Sequence, residues 1–219
     1  MAPSMLLDFL FPKYSLRGEE GEWMTEGEAA RLISRPRIFS AMALKKTGMP
    51  SLDRVLAMST YGDAPLLRQA IHTFKYRRIP GLGERLQALL ADSVRKHLPV
   101  IRDSCLCPVP LHFLRKFQRG FNQAELLARG LAGELQLPCV TLLRRIRPTG
   151  KQTKRKREER LRAVKGAFGF RGMSGFLPLP FCVYLVDDLF TTGATMEECA
   201  KVLKAAGVRR VEGVVLAHG

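Results

Sequence analysis

The chain has no CxxC pair, a single tryptophan, four histidines and no apolar run near the length of a membrane span. Its five cysteines, Cys105, Cys107, Cys139, Cys182 and Cys199, are odd in number. An odd, unpaired set argues against a disulfide framework, and Cys105-x-Cys107 lacks the second half that a structural metal site needs. Buried strand thiols and no zinc are therefore expected. The opening MAPSMLLDFLFPKY is greasy but is broken by Asp8 and preceded by no basic residue, so it does not read as a signal peptide. A cytoplasmic location without membrane insertion follows as an expectation. Acids are also scarce: 20 Asp and Glu stand against 36 Lys and Arg, a net charge of +16. Such a field draws in phosphorylated small molecules, nucleic acid or both, and does not by itself choose between them.

What is present suits a packed α/β protein. The 46% hydrophobic content supports a real core, and 219 residues suit one domain with a small appendage. A short helix is expected near Glu26–Ile33, and residues 40–53, with Gly48 and Pro50, read as a linker. Leu67, Ala70, Ile71 and Phe74 share one helical face after Pro65. Leu82, Leu86, Leu89, Leu90 and Val94 mark a second helix, and Phe121, Ala124, Leu127, Ala128 and Leu131 a third. SCLCPVP, CVTLLRRI and GAFGF read as short strands. FCVYLVDD is the best strand in the chain; GATMEECAKVLKAAG follows as a helix and RVEGVVLAHG as a closing strand. Strand, helix, strand at this length predicts a parallel pair, in a sheet covered by helices on both faces. Residues 144–165 hold eleven Lys or Arg against two Glu, which predicts a solvated, mobile segment.

The stretch VYLVDDLFTTGAT, residues 183–195, carries the chemistry. Ligands of open α/β sheets sit beyond the carboxyl ends of the strands, where Asp187 and Asp188 lie. The turn from Leu189 through Phe190, Thr191, Thr192, Gly193 and Ala194 to Thr195 opens a helix, whose free N–H groups and dipole favour a phosphate. Two carboxylates would repel that phosphate but would accept the two O–H groups of a sugar diol. A sugar 5-phosphate satisfies both halves. A Walker-type loop would need a lysine after the glycine, and none follows Gly193. A phosphoacceptor pocket would need further acids at other strand ends. Two acids that merely cap a helix stay open as a reading, though it leaves the threonines unexplained.

VDDLFTTGAT resembles the 5-phosphoribosyl diphosphate (PRPP) signature of type I phosphoribosyltransferases. PVPLHFLRKFQRGFNQAELLARGLA, with QTKRKREER (152–160) and VKGAF (164–168) after it, narrows the resemblance to the ComF family, a branch associated with bacterial competence and DNA uptake. The similarity covers residues 52–219, the expected phosphoribosyltransferase-like domain. Residues 1–51 would form a small N-terminal hood. They keep an LLDFLFP stretch but lack the cysteines of the family's zinc segment, so that module is expected to be degenerate and zinc-free.

The resemblance implies a type I phosphoribosyltransferase-like α/β fold, a mainly parallel twisted sheet flanked by helices. It implies a pentosyl transferase that binds PRPP with Mg²⁺ and passes the phosphoribosyl group to an acceptor that the sequence does not name. Asp187 and Asp188 would hold the ribose hydroxyls, with Mg²⁺ bridging diol and diphosphate and taking no direct protein ligands. Leu189 to Thr195 would wrap the 5-phosphate. Arg115, Lys116 and Arg119 would meet the diphosphate, and a flexible lid containing Gln152, Lys156 and Arg157 would close with Arg160 as a catalytic cation. Asn122 and Gln123 read as hydrogen-bonders at a helix start. The alternatives are a non-catalytic PRPP or nucleotide sensor and a competence factor that binds single-stranded DNA. The basic run carries no interleaved aromatics, so DNA binding would be electrostatic and salt-sensitive.

Overall fold

Apolar runs buried on both faces form the middle of a five-stranded sheet, and that sheet organises the molecule. The structure, a computed structural model, describes residues 15–19, 23–33, 36–62, 64–76, 80–111, 121–147, 163–172 and 179–219. In chain order the elements are α1 (Glu26–Leu32), β1 (Arg37–Ser40), α2 (Ala41–Lys46), β2 (Arg54–Thr60), α3 (Pro65–Tyr76), α4 (Pro80–His97) and β3 (Ser104–Pro108). Then come α5 (Gln123–Leu135), β4 (Leu143–Arg145), β5 (Phe168–Phe170), β6 (Cys182–Phe190), α6 (Ala194–Ala205) and β7 (Arg210–His218).

The sheet order is β1-β2-β7-β6-β3, with β2, β7, β6 and β3 parallel and β1 antiparallel at one edge. β6 and β7 read as almost unbroken apolar sequence because parallel strands are covered on both sides. Alternation along β6 sorts them: Cys182, Tyr184 and Val186 face α3, α4 and α5, while Val183 and Leu185 face α6. On the first face Leu67, Phe74, Leu86, Leu90, Leu127 and Leu131 close the core; on the second, Met196, Cys199, Ala200 and Leu203 do so. Each large apolar side chain among them contributes about 1.5–3 kcal/mol on burial. The predicted β6–α6–β7 unit and the mainly parallel, helix-flanked sheet are thus present. No helix among the described residues is long and apolar enough to cross a membrane.

Several local expectations need correction. Residues 37–46, inside the stretch read partly as linker, form β1 and α2. Ser40 caps α2 by accepting from the Ala43 amide at 3.4 Å, and AMALKK is good helix sequence that outweighs the Gly48 and Pro50 beyond it. β2 has no counterpart in the sequence reading: lying between β1 and β7 it is buried from Val55 to Ser59 and shows no alternation to find. The strands expected at CVTLLRRI and GAFGF shrink to β4 and β5, which pair with each other outside the main sheet. Cys139 makes only an isolated bridge to Leu106. The third helix starts at Gln123, with Asn122 as its cap. Cys105 and Cys107 are buried thiols of β3, and burial pushes each up to about 12.

Tyr184 joins the sheet to the segment before β3. Its hydroxyl donates to the Pro99 carbonyl at 3.0 Å and accepts from the Ile101 amide at 3.3 Å. Tyr184→Phe strands both groups and should cost about 1–3 kcal/mol. The expected readout is a lower urea midpoint with an unchanged m-value.

Candidate functional site

The site begins where one strand stops short. β3 ends at Pro108, opposite Val186. One more bond, from the Val109 amide to the Val186 carbonyl at 3.0 Å, closes the ladder, because Pro110 has no N–H to offer. β7 meanwhile runs beside β6 as far as Phe190. Residues 187–190 are therefore paired on one side only, and the two aspartates stand in the resulting notch. Asn122 fixes its far wall. Its side-chain amide donates to the Val109 carbonyl at 3.2 Å, while its oxygen caps α5 by accepting from the Ala124 amide at 3.2 Å. Asn122 is thus a helix-start hydrogen-bonder, as read. Gln123 donates to the Lys75 carbonyl at 3.2 Å and anchors the end of α3 beside it.

The notch holds a polar cavity of about 140 Å³ bordered by Lys75, Asn122, Arg145, Asp187, Asp188 and Thr195. Strand alternation sends successive side chains to opposite faces, and the two acids reach a common space only because the sheet ends there. Asp188 is 9% exposed and forms an ion pair with the Lys75 ammonium. Asp187 is half-buried, and its Oδ1 accepts from the Asp188 amide at 2.8 Å. Burial, and then the neighbouring Asp188 charge, holds its carboxyl well above the ordinary range; Lys75 pulls the other way. Arg145 stacks over Phe168, its guanidinium carbon 5.2 Å from the ring centre.

Beyond the acids the chain turns through Thr191 and Thr192 to Gly193, the N-cap of α6, at φ +73°. A Cβ there would lie 2.0 Å from Met49 Sδ and 3.0 Å from the Phe190 ring, so the turn has room for glycine alone. No side chain caps α6 from Gly193. The turn borders a small space of about 50 Å³ between Asp187 and Met196, and free amides at a helix start favour an anion. Met49 is held in place by its neighbours: the Ser51 amide donates to the buried Glu197 of α6 at 3.1 Å.

A larger cavity of about 610 Å³ lies beside the turn, walled by Phe39, Met49, Phe190, Thr191, Thr192 and His218. Its lining is mainly apolar. Phe39 and His218 stack with ring centres 4.8 Å apart. Burial, and then the Arg37 charge, lowers the His218 imidazole below its ordinary value, which favours the neutral ring at this wall.

The structure brings together Asp187, Asp188 and the turn Leu189–Thr195 as one strand tip and helix start. Arg115, Lys116, Arg119, Gln152, Lys156, Arg157 and Arg160 lie outside the described residues. Sequence reasoning missed Lys75 and Arg145 as cations of the notch. Lys75 sits in the last turn of a helix with no local sign of Asp188, and Arg145 hides in the basic run. Among the described residues no group of three or more His, Cys, Asp and Glu forms a metal cage. Two carboxylates do suit Mg²⁺ of the kind that keeps its waters and leans on ligand phosphates.

No protein-family model matches the chain. Competence protein F of Haemophilus influenzae is 30% identical over 168 residues, 74% of this chain and 72% of that protein. Competence protein ComFC of Bacillus subtilis is 33% identical over 150 residues, 68% of this chain, which spans 57% of that protein. DNA utilization protein YhgH of Escherichia coli K12 is 31% identical over 170 residues, 74% and 71% of the two chains. The crystal structure of TT1426 from Thermus thermophilus shares 18% identity, covers 63% of this chain and 83% of that one, and superposes with a TM-score of 0.36, too low to carry an argument.

The Asp187 shift has a stability consequence. A carboxyl whose folded pKa is raised keeps a proton that the unfolded chain loses, so its contribution is present at low pH. That contribution is lost as pH climbs from the ordinary carboxylate value to the raised one. Asp187→Asn, which keeps the acceptor for the Asp188 amide, should be more stable than wild type near neutrality and show a flatter stability profile. Urea melts between about pH 4 and pH 8 check it; parallel profiles for the two proteins would refute the assignment.

Proposed function

The chain belongs to the ComF family, and on that premise we propose that it binds PRPP with Mg²⁺ at the tip of β6 and transfers the phosphoribosyl group to an acceptor. One observation carries the reading. Two adjacent acids overhang the end of the sheet, and a glycine-tight turn with free helix-start amides follows them directly. A phosphorylated pentose presents a diol and a phosphate at that spacing of chemistry. The relatives' names concern competence and DNA utilization; a role for this chain in DNA uptake is part of the same proposal.

The residues then divide the work. The turn from Leu189 to Thr195 receives the 5-phosphate on backbone amides and threonine hydroxyls, a preorganised seat that needs no rearrangement. Asp187 and Asp188 accept the ribose hydroxyls and fix the ring. Mg²⁺, held near Asp187 and Asp188 by waters and ligand oxygens, would supply positive charge for the diphosphate as it leaves. Arg145 adds a cation of this chain to the same notch, and the start of α5 at Asn122 and Gln123 turns its positive dipole end toward it. Arg115, Lys116 and Arg119 follow Pro110 in sequence and belong to the same leaving-group side in this reading. The 152–160 segment, with Lys156, Arg157 and Arg160, serves as the lid that excludes water from the cationic sugar carbon. The apolar 610 Å³ cavity flanks the turn and is where an acceptor enters.

Titration calorimetry with PRPP and Mg²⁺ tests this. The wild type should bind, and the Asp187→Asn/Asp188→Asn double variant should bind at least about tenfold more weakly, since a hydrogen bond to a charged acceptor is worth about 1.5–3 kcal/mol. A silent titration with the wild type sinks the proposal. Diphosphate release on adding candidate acceptors separates a transferase from a protein that only senses PRPP.

A further inference from the structure

Asp188 already has a partner. The Lys75 ammonium reaches it from the last turn of α3, and the lysine side chain is only 20% exposed. The function proposed above asks the same carboxylate to accept ribose hydroxyls, so ligand and lysine compete for one group. Resting on that function, we propose that Lys75 makes the site selective for a pentose carrying a diphosphate over one carrying only the 5-phosphate. The arriving diphosphate takes the ammonium and thereby frees Asp188 for the diol.

The geometry supports an exchange rather than a fixed strut. The backbone of Lys75 is pinned through its carbonyl by Gln123, so only the four-carbon stem moves. The ammonium and Asp188 border the same small cavity as Val109, Pro110 and Leu111, the start of the segment assigned to the diphosphate. Asp187 and Arg145 are the other charged groups facing that cavity. A neutral hydroxyl does not displace an ammonium from a buried carboxylate, because a charge-assisted hydrogen bond is about twice as strong as a neutral one. Displacement would also leave the lysine charge unpaired in partly buried surroundings, a large cost. A second anion on the ligand removes both penalties at once. Ribose 5-phosphate has none to offer.

The test compares PRPP and ribose 5-phosphate by calorimetry at fixed Mg²⁺, on wild type, Lys75→Met and Lys75→Arg. The wild type should favour PRPP strongly. Lys75→Met should lose PRPP affinity by about 10- to 100-fold, the range for a charged hydrogen bond. Its ribose 5-phosphate affinity should hold or rise, so the preference collapses. Lys75→Arg keeps a cation and should keep the preference. If Lys75→Met weakens both ligands equally, the lysine merely props Asp188 and the inference is overturned. Lys75→Gln, which retains a donor for Asp188 without the charge, gives the same comparison should the methionine variant melt below the assay temperature. A wild type that binds neither ligand overturns the function itself. A wild type that binds PRPP, with an unchanged preference in Lys75→Met and Lys75→Gln, overturns only the role of Lys75.

Discussion

The candidate site depends on a mismatch in strand length: β3 leaves the sheet at Pro108 while β6 continues to Phe190. A proline cannot extend a ladder as a donor, so two prolines within three residues end the pairing at Val109. From that point β6 has a neighbour on one side only. Two aspartates, whose side chains belong to opposite faces of a regular sheet, come to share one cavity. Had β3 run as far as β6, Asp188 would lie beneath one helix layer and Asp187 beneath the other. Each would then be a buried charge with no ligand to meet.

Charge in the notch is balanced locally rather than by the chain as a whole. The protein carries +16, but the groups bordering the cavity are Asp187 and Asp188 against Lys75 and Arg145. Lys75 neutralises Asp188, and burial together with that neighbour keeps Asp187 reluctant to ionise. The resting site is therefore close to neutral, set within a positive molecule. The long-range field gathers anions, and the local arrangement decides which of them fit.

How much could be read from sequence follows from where each signal lives. The β6–α6–β7 unit announces itself because a buried parallel strand, a glycine turn and an amphipathic helix succeed one another without interruption, and its acids and turn residues came with it. β2 gave no such signal: RVLAMST mixes polar and apolar residues, and its burial comes from neighbours distant in the chain. α2 was obscured by the Gly48 and Pro50 that follow it, although Ser40 and the alanines already favoured a helix start. Lys75 was unreadable for a different reason. Its partner lies in another part of the sequence altogether, and only the packing of α3 against β6 brings the two together.

Both flanks of the sheet are closed to outside strands. β1 is four residues long, follows Pro36, begins with Arg37 and passes straight into α2. On the opposite flank the chain lays residues 138–140 along β3: the Leu106 amide bonds the Pro138 carbonyl at 2.9 Å, and the Val140 amide bonds the Leu106 carbonyl at 2.8 Å. Short, prolyl, charged or covered edges discourage sheet-to-sheet joining. The protein thus opens its sheet end-on to a small molecule while denying a foreign chain any lateral foothold. A strand tip with unpaired backbone, which in a less guarded sheet would invite self-association, is kept for a ligand.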